Sequence, residues 1–325
     1  MMYNQGSAWI KVYITSAYND AEPLASIIRY ASLDRLKKFE LVDSADDADF
    51  ILFVENSRYH ADRFYNKLKS HYLVKKYPDK VFMYNPHDKP WLVLPGLYAS
   101  MPKQFFNKNY IAATPYIENI NPYIKYDAAV KPEYLFSFVG SPNSAPRRSI
   151  LKLSHPHAFI KASASNMFGG QDLTDEKLSY AKLLSQSKFV LCPRGAGTSS
   201  FRIFETMQAG RVPVIISDNW VAPKGPRWSD FALFIPEKDV AQVPAIIEKA
   251  DKEWPLRCAL SREAWENFFS PEVFFTYLLE SVVRLNRTNA DIRLSTQTLH
   301  YIPFLKYVFR AGVIQKLKSA LAYNR

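Results

Sequence analysis

Ser187-Lys-Phe-Val-Leu-Cys-Pro-Arg-Gly-Ala-Gly-Thr-Ser-Ser-Phe-Arg-Ile-Phe-Glu-Thr-Met-Gln-Ala-Gly-Arg-Val-Pro-Val-Ile-Ile-Ser-Asp218 runs as strand, glycine turn, helix, glycine stop and second strand. Phe189 to Leu191 is a short buried-strand run, and Gly195 and Gly197 allow a tight turn with close backbone approach. Thr198, Ser199 or Ser200 can cap the helix that follows, whose free N–H groups then favour an anion. At roughly 100° per residue, Thr198, Arg202, Glu205 and Ala209 share one stripe, while Phe201, Ile203, Phe204 and Met207 fill the packed arc. An Arg one turn inside such a start can neutralise a diphosphate, and a Glu further on can accept from two ribose hydroxyls. The stretch therefore reads as a nucleotide site. Gly210 suits the helix stop, and Val212 to Ile216 ends at Ser217-Asp218-Asn219-Trp220, where an open parallel sheet puts its binding loop. The plainer alternative, a solvated Arg202–Glu205 pair worth about 0.3 kcal/mol, leaves the glycine turn and the hydroxyl cluster unexplained.

Outward from this stretch, strands alternate with helical patterns, as a parallel sheet requires. Upstream, the pattern predicts strands over 11–15, 50–54 and 81–84, with helices over 21–41 and 61–77. From 111 to 130 the helical pattern fails among Pro115, Pro122 and polar residues, which places a linker there. Strands are then expected at 134–139, 158–160, 189–191, 212–216 and 231–235, and helices at 173–185, 199–209, 240–250 and 256–268. The expected domains are 1–125, 126–285 and a helical tail over 286–325. The tail mixes aromatic and aliphatic residues with Lys306, Arg310, Lys316 and Lys318. Packing back on the first domain is its favoured reading, and docking at a membrane surface is the alternative.

The motif Cys192-Pro-Arg-Gly-Ala-Gly-Thr-Ser-Ser-Phe-Arg-Ile-Phe-Glu-Thr-Met-Gln-Ala-Gly210, with Val212-Pro-Val-Ile-Ile-Ser-Asp218 and Phe234-Ile-Pro-Glu-Lys-Asp-Val240, closely resembles the signature of exostosin-family glycosyltransferases. Ala48-Asp-Phe-Ile-Leu-Phe-Val54 and Leu135-Phe-Ser-Phe-Val-Gly140, followed by Arg147 and Arg148, are similar to further elements of that family. The resemblance implies an α/β fold of two Rossmann-like domains facing a central cleft (GT-B). It also implies a nucleotide-sugar donor, a UDP-sugar in this reading, and inversion at the anomeric carbon with no required metal and no tightly bound cofactor. Thr206, Arg211 and Lys224-Gly-Pro-Arg-Trp228 depart from the family's usual residues and leave the sugar open.

On that reading the donor wall comprises Gly140, Arg147, Arg194, Gly195, Gly197, Thr198, Ser199, Ser200, Arg202, Glu205 and Asp218. Inverting transfer also needs a base on the opposite wall, from loops after first-domain strands. Asp88 is preferred for that role, being in the proline-braced run Asn85-Pro-His-Asp-Lys-Pro90 that leads into Pro95-Gly-Leu-Tyr-Ala-Ser100. Glu55, Asp20 and His87 are the other candidates, each also readable as a loop cap or surface group.

Composition narrows the partners. The 325 residues suggest about two domains, and 48% hydrophobic with 22% charged is ordinary for a globular enzyme. A net charge of +11 favours an anionic ligand or membrane surface, while no zinc pattern or RNP-like motif supports nucleic acid. Cys192 and Cys258 form neither a disulfide framework nor a metal spacing. The start lacks the apolar core of a secretion signal, and no run of about 18 apolar residues occurs, so the expected setting is cytoplasmic, with peripheral membrane contact through the tail as an addition. The acceptor is expected to be a glycan or glycolipid. The alternative function is a non-catalytic carbohydrate- or nucleotide-sugar-binding relative.

Overall fold

A computed structural model describes residues 9–18, 21–55, 62, 65–88, 90, 92–116, 121–163 and 173–289. Its first half runs β1 (Ile10–Thr15), α1 (Ala21–Leu33), β2 (Phe39–Leu41), β3 (Phe50–Val54), α2 (Asn66–Ser70), α3 (Tyr72–Lys76), β4 (Val81–Asn85), β5 (Gly96–Tyr98) and β6 (Ile111–Ala113). These strands form one sheet in the order β2-β1-β3-β4-β5-β6, with every neighbouring pair parallel. A parallel sheet with both faces covered needs strands that are apolar throughout. Phe50-Ile-Leu-Phe-Val54 meets that need, and all five side chains are buried.

The second half runs β7 (Tyr134–Gly140), α4 (Ala145–Ile150), β8 (Ala158–Ala162), α5 (Thr174–Ser185), β9 (Ser187–Pro193), α6 (Phe201–Gln208), β10 (Val212–Ile216), α7 (Trp228–Phe231), β11 (Leu233–Phe234), α8 (Val243–Ala250) and α9 (Trp254–Ala264). A π-helical turn over Trp265–Phe269 extends α9, and α10 (Phe274–Asn289) follows. Its sheet, β11-β10-β9-β7-β8, is also wholly parallel. Both sheets wind alike: the second strand lies on one side of the first and the third on the other. The chain thus makes two Rossmann-like halves. In such sheets the point of reversal, here between β1 and β3 and again between β7 and β9, opens a crevice at the strands' carboxyl ends.

Helix α10 leaves the second half and packs on α1, β5 and β6 of the first. Thr276 Oγ1 donates to the buried Asp34 Oδ2 at 2.9 Å, and the Arg35 amide donates to the Glu272 carbonyl at 2.8 Å. The crossing back therefore begins near 272, ahead of the 286 expected for the tail; residues from 290 onward lie outside the described residues. Phe274, Leu278 and Val282 from α10 join Ile27, Phe50 and Leu52 in one apolar core that also takes in Ile203 and Met207 of α6. The two halves share a core.

Three local differences from the sequence reading have physical causes. The helix expected over 21–41 stops at Leu33, because Asp34 accepts from the Lys37 amide at 2.9 Å in a turn where Lys37 takes φ 46, and Phe39–Leu41 becomes an edge strand. The helix expected over 61–77 is two pieces within the described residues, split at His71, whose Nδ1 caps α3 by accepting from the Leu73 amide at 3.3 Å. The region expected to start the linker instead begins with β6, beside β5. Gly96 lets β5 in turn lie against β4, since a Cβ there would strike the Met83 carbonyl.

Candidate functional site

β9 ends at Pro193 and β7 at Gly140, on either side of the second sheet's reversal point. The 194–200 loop and the 141–144 loop therefore open into one crevice. Ser200 stands at the N-cap position with extended backbone (φ −146, ψ 133) but makes no side-chain cap bond, and α6 begins at Phe201 rather than Ser199. Thr198 and Ser199 do not cap the helix through their hydroxyls either. Thr198 Oγ1 donates to the Ser100 carbonyl at 3.1 Å, and Ser199 Oγ is buried with no hydrogen-bond partner.

The loop amides are directed as an anion site requires, yet a residue of the first half engages them. Thr198 N–H and Ser199 N–H both donate to Ser100 Oγ, at 2.7 and 3.2 Å. Thr198, Ser199 and Ser200 are consequently all buried. Gly197 is what lets the halves meet. A Cβ there would lie 2.7 Å from Asp88 Oδ1 and 2.9 Å from the Asp88 carbonyl, and would also strike Ser100 Oγ.

Beneath this contact sit two guanidinium groups. Arg202, from α6, donates from Nη2 to the Val139 carbonyl at 2.6 Å and lies 5.0 Å over the Phe138 ring, while its Nε is buried without a partner. Gly140 leaves room for it, since a Cβ there would come within 3.2 Å of Arg202 Nη2. Arg147, from α4, donates from Nε to the Arg194 carbonyl at 3.1 Å and packs against Gly195, where a Cβ would be 3.0 Å from its Nη2. Arg148 turns outward, donating to the Pro142 carbonyl at 3.1 Å. Burial, and then the nearby Arg202 charge, push Arg147 down to about 10, with Asp88 opposing. For Arg202, burial also works against the charge, but Tyr180, Cys192 and Glu205 outweigh it and hold its affinity for the proton above the usual value. Among the described residues neither guanidinium has an ion-pair partner. Both arginines are partly buried, and the carboxylate whose charge bears on Arg202 is Glu205.

Glu205 stands almost one turn beyond Arg202 on α6. Burial raises its pKa, with the Arg202 charge pulling the other way. The buried Tyr180 hydroxyl from α5 is within electrostatic reach of both groups but forms no hydrogen bond of bonding geometry. A cavity beside Glu205 is lined by Tyr116, Phe201, Gln208, Trp265 and Phe274, and the Gln208 Oε1 is buried with no partner. The site joins a cationic floor to an aromatic side pocket.

Arg194 and Asp218 occupy a different network. Arg194 forms a two-pronged pair with Glu237 (2.7 and 2.8 Å), and the Glu237 amide donates to Asp218 Oδ1 at 3.0 Å. They brace the loops after β9 and β10.

On the facing wall, Asp88 is exposed and its Oδ1 accepts from Tyr116 Oη at 2.8 Å. His87 is half-buried, and its amide donates to Asn85 Oδ1 at 2.9 Å. Glu55 is fully buried, accepting from the Ala17 amide at 2.7 Å and Ser16 Oγ at 3.1 Å, so it braces the loop after β1. Asp20 lies outside the described residues. Sequence reasoning had Ser100 only as the end of the run that follows the Asp88 loop and did not single out Tyr116, yet the first bonds to the Thr198 amide and the second to Asp88. Both stand just past strands, Ser100 after β5 and Tyr116 after β6, so the rule that singled out Asp88 could have found them. Among the described residues, no three His, Cys, Asp or Glu side chains gather to hold a metal ion, and no helix is long and apolar enough to cross a membrane.

A family model described as the Exostosin GT47 domain matches residues 7–250. Exostosin-1 homolog of Caenorhabditis elegans is 38% identical over 74 residues, which is 22% of this chain and 19% of that protein. Exostosin-1 of Drosophila melanogaster is 31% identical over 124 residues, 37% of this chain and 16% of that protein. The chain thus matches less than a fifth of the length of these relatives. Among solved structures, a glycosyltransferase from Rickettsia africae ESF-5 is similar with a TM-score of 0.44 at 9% identity, over 88% of this chain and 100% of that one.

Proposed function

The chain belongs to the exostosin GT47 family, and from that premise we propose that it is an inverting glycosyltransferase that moves a sugar from a UDP-sugar to a glycan or glycolipid hydroxyl. The observation that carries this reading is the partly buried Arg147–Arg202 pair, which has no ion-pair partner among the described residues and lies at the reversal point of the second sheet. The donor's diphosphate sits on the two guanidinium groups, and the Gly195–Ser200 loop lies over it. Glu205 accepts from the ribose hydroxyls. Asp88, on the facing wall, takes the proton of the acceptor hydroxyl. The acceptor oxygen attacks the anomeric carbon as its bond to the diphosphate breaks, and the electron pair leaves with UDP. With base and leaving group on opposite walls, one displacement inverts the centre. Charge that grows on the departing diphosphate is met by Arg147 and Arg202, which are fixed before the reaction starts. In this reading the two cations do the neutralising, and no metal is needed.

UDP-glucose, UDP-N-acetylglucosamine, UDP-galactose and UDP-glucuronate are the first donors to test, by thermal stabilisation and by UDP release with water as acceptor. A ligand at about 100 times its dissociation constant adds about 2.7 kcal/mol to the folded state. The expected result is stabilisation by UDP and slow UDP release from at least one donor. Stabilisation without release from any donor would favour a non-catalytic binder. An absence of both sinks the nucleotide-sugar reading.

A further inference from the structure

Asp88 is held from two directions. Tyr116 Oη donates to its Oδ1 at 2.8 Å, and Gly197 of the other half abuts both its carboxylate and its carbonyl. Tyr116 is itself buried, and its ring lies on Phe201, the first residue of α6, with centroids 4.2 Å apart and planes 31° apart. Tyr116 and Phe201 also line the cavity that Glu205 faces. One tyrosine therefore touches the carboxylate on the acceptor wall with its hydroxyl and the donor helix with its ring.

From this geometry we infer that Tyr116 is a positioning residue that aims the Asp88 carboxylate only while the donor helix is docked against the first half. The inference rests on the reading of Asp88 as base. A carboxylate is free to rotate about its Cβ–Cγ bond until something fixes one oxygen. The Tyr116 hydroxyl occupies Oδ1, which leaves Oδ2 to receive the proton of an acceptor hydroxyl. The hydroxyl in turn is placed by its ring, and the ring is seated on Phe201. If the halves part, Phe201 moves away with α6, the seat is lost, and the base is no longer aimed at a donor that is absent. Acceptor activation is thereby tied to closure over the nucleotide.

A merely structural Tyr116 would serve equally well as phenylalanine, because the stack on Phe201 would be kept. The test compares Tyr116→Phe, Phe201→Leu and Asp88→Asn in the full chain. Its readout is UDP release from the UDP-sugar turned over fastest among the four donors named above. Asp88→Asn is expected to lose at least a hundredfold in kcat. Tyr116→Phe should lose about tenfold in kcat, the effect of one hydrogen bond near the upper end of its usual worth, with the donor KM within twofold. Phe201→Leu keeps the hydroxyl bond but loosens its seat, and should fall in kcat by a smaller factor. Full kcat in both Tyr116→Phe and Phe201→Leu, or a donor KM that rises by the same factor as kcat falls, overturns the positioning role and leaves Asp88 as base untouched. Near-normal kcat in Asp88→Asn overturns the base reading instead, and the inference with it. A Tyr116→Phe chain that fails to melt cooperatively shifts the decision to Phe201→Leu, where unchanged kcat also overturns the coupling.

Discussion

Ser100 Oγ lies 2.7 Å from the backbone nitrogen of Thr198 and accepts its hydrogen bond, so a side chain of the first half is docked on the loop between β9 and α6 of the second. The adjacent Ser199 amide donates to the same oxygen at 3.2 Å. Two N–H groups converging on one oxygen is the arrangement that binds a phosphate oxygen or an oxyanion. The halves thus meet through the very groups that would grip a ligand. Closure and ligand binding draw on the same donors.

The guanidinium pair leads to effects of opposite sign. Arg147 has a folded-state pKa pushed down to about 10 from 12.5, by burial first and then by Arg202. A base whose pKa falls on folding binds fewer protons folded than unfolded between those values, so stability rises with pH through that window, and the charged form is penalised at neutral pH. Arg147→Gln should therefore melt at a higher temperature than the parent at pH 7 without ligand. The same variant should lose most of the stabilisation given by inorganic pyrophosphate. Arg202→Ala should weaken UDP binding by ten- to a hundredfold, since a hydrogen bond to a charged group contributes about 1.5–3 kcal/mol. Calorimetry giving parental affinity would remove Arg202 from the donor site.

Glu205 carries a similar conflict. Burial raises its pKa above 4.5, against the pull of Arg202. An acid with a raised folded pKa holds more protons folded than unfolded, so its contribution to stability falls as pH rises from about the unfolded value. Glu205→Gln removes that cost. Its melting temperature should exceed the parent's at pH 7.5 by a few degrees, and the gap should close as the pH approaches 4.5, the group's ordinary value. UDP affinity should fall in the same variant. A gap that does not change with pH would mean that the carboxylate is not the source.

What the sequence made legible was local. Unbroken apolar runs such as Phe50–Val54 and Val212–Ile216 read as buried parallel strands because both faces are covered. The helix that carries Arg202 and Glu205 was legible as well, from its spacing between a glycine turn and Gly210. Strands β5 and β6 were not, being three residues each and stabilised by partners, with Gly96 and two alanines supplying little pattern. Ser100 acts on Thr198 from 98 positions away, and no periodicity reports a contact of that kind. Arg194 looked like a ligand group from its place in the motif, but it is occupied by Glu237, more than forty residues later.

Gly197 tests whether closeness of the halves matters for turnover. Gly197→Ala sets a methyl 2.7 Å from Asp88 Oδ1 and against Ser100 Oγ, and neither neighbour belongs to its own half. Overpacking of this kind costs roughly 1–3 kcal/mol. Because the strain falls between the halves, it can be relieved by moving them apart. Small-angle scattering should record a larger radius of gyration, and UDP release should drop at least tenfold while UDP binding changes less. Unchanged release would mean that the Asp88–Gly197 approach is not needed for chemistry.

Ser100→Ala separates stability from affinity at the loop itself. Removing the hydroxyl leaves the Thr198 and Ser199 amides, both buried, without their acceptor, and an orphaned buried donor costs about 1–3 kcal/mol. For a chain of this length that corresponds to a drop of several degrees in melting temperature without ligand. A diphosphate arriving at the parent protein must displace Ser100 Oγ from those amides, whereas in the variant it meets free donors. UDP should therefore bind the variant more tightly than the parent, by up to about tenfold if one net hydrogen bond of roughly 1.4 kcal/mol is gained. Calorimetry and melting then move in opposite directions, which a general loosening of the fold cannot produce. Weaker UDP binding together with lower stability would make Ser100 a direct ligand contact. Unchanged affinity would mean that the phosphate never reaches the 198–199 amides and is held by Arg147 and Arg202 alone.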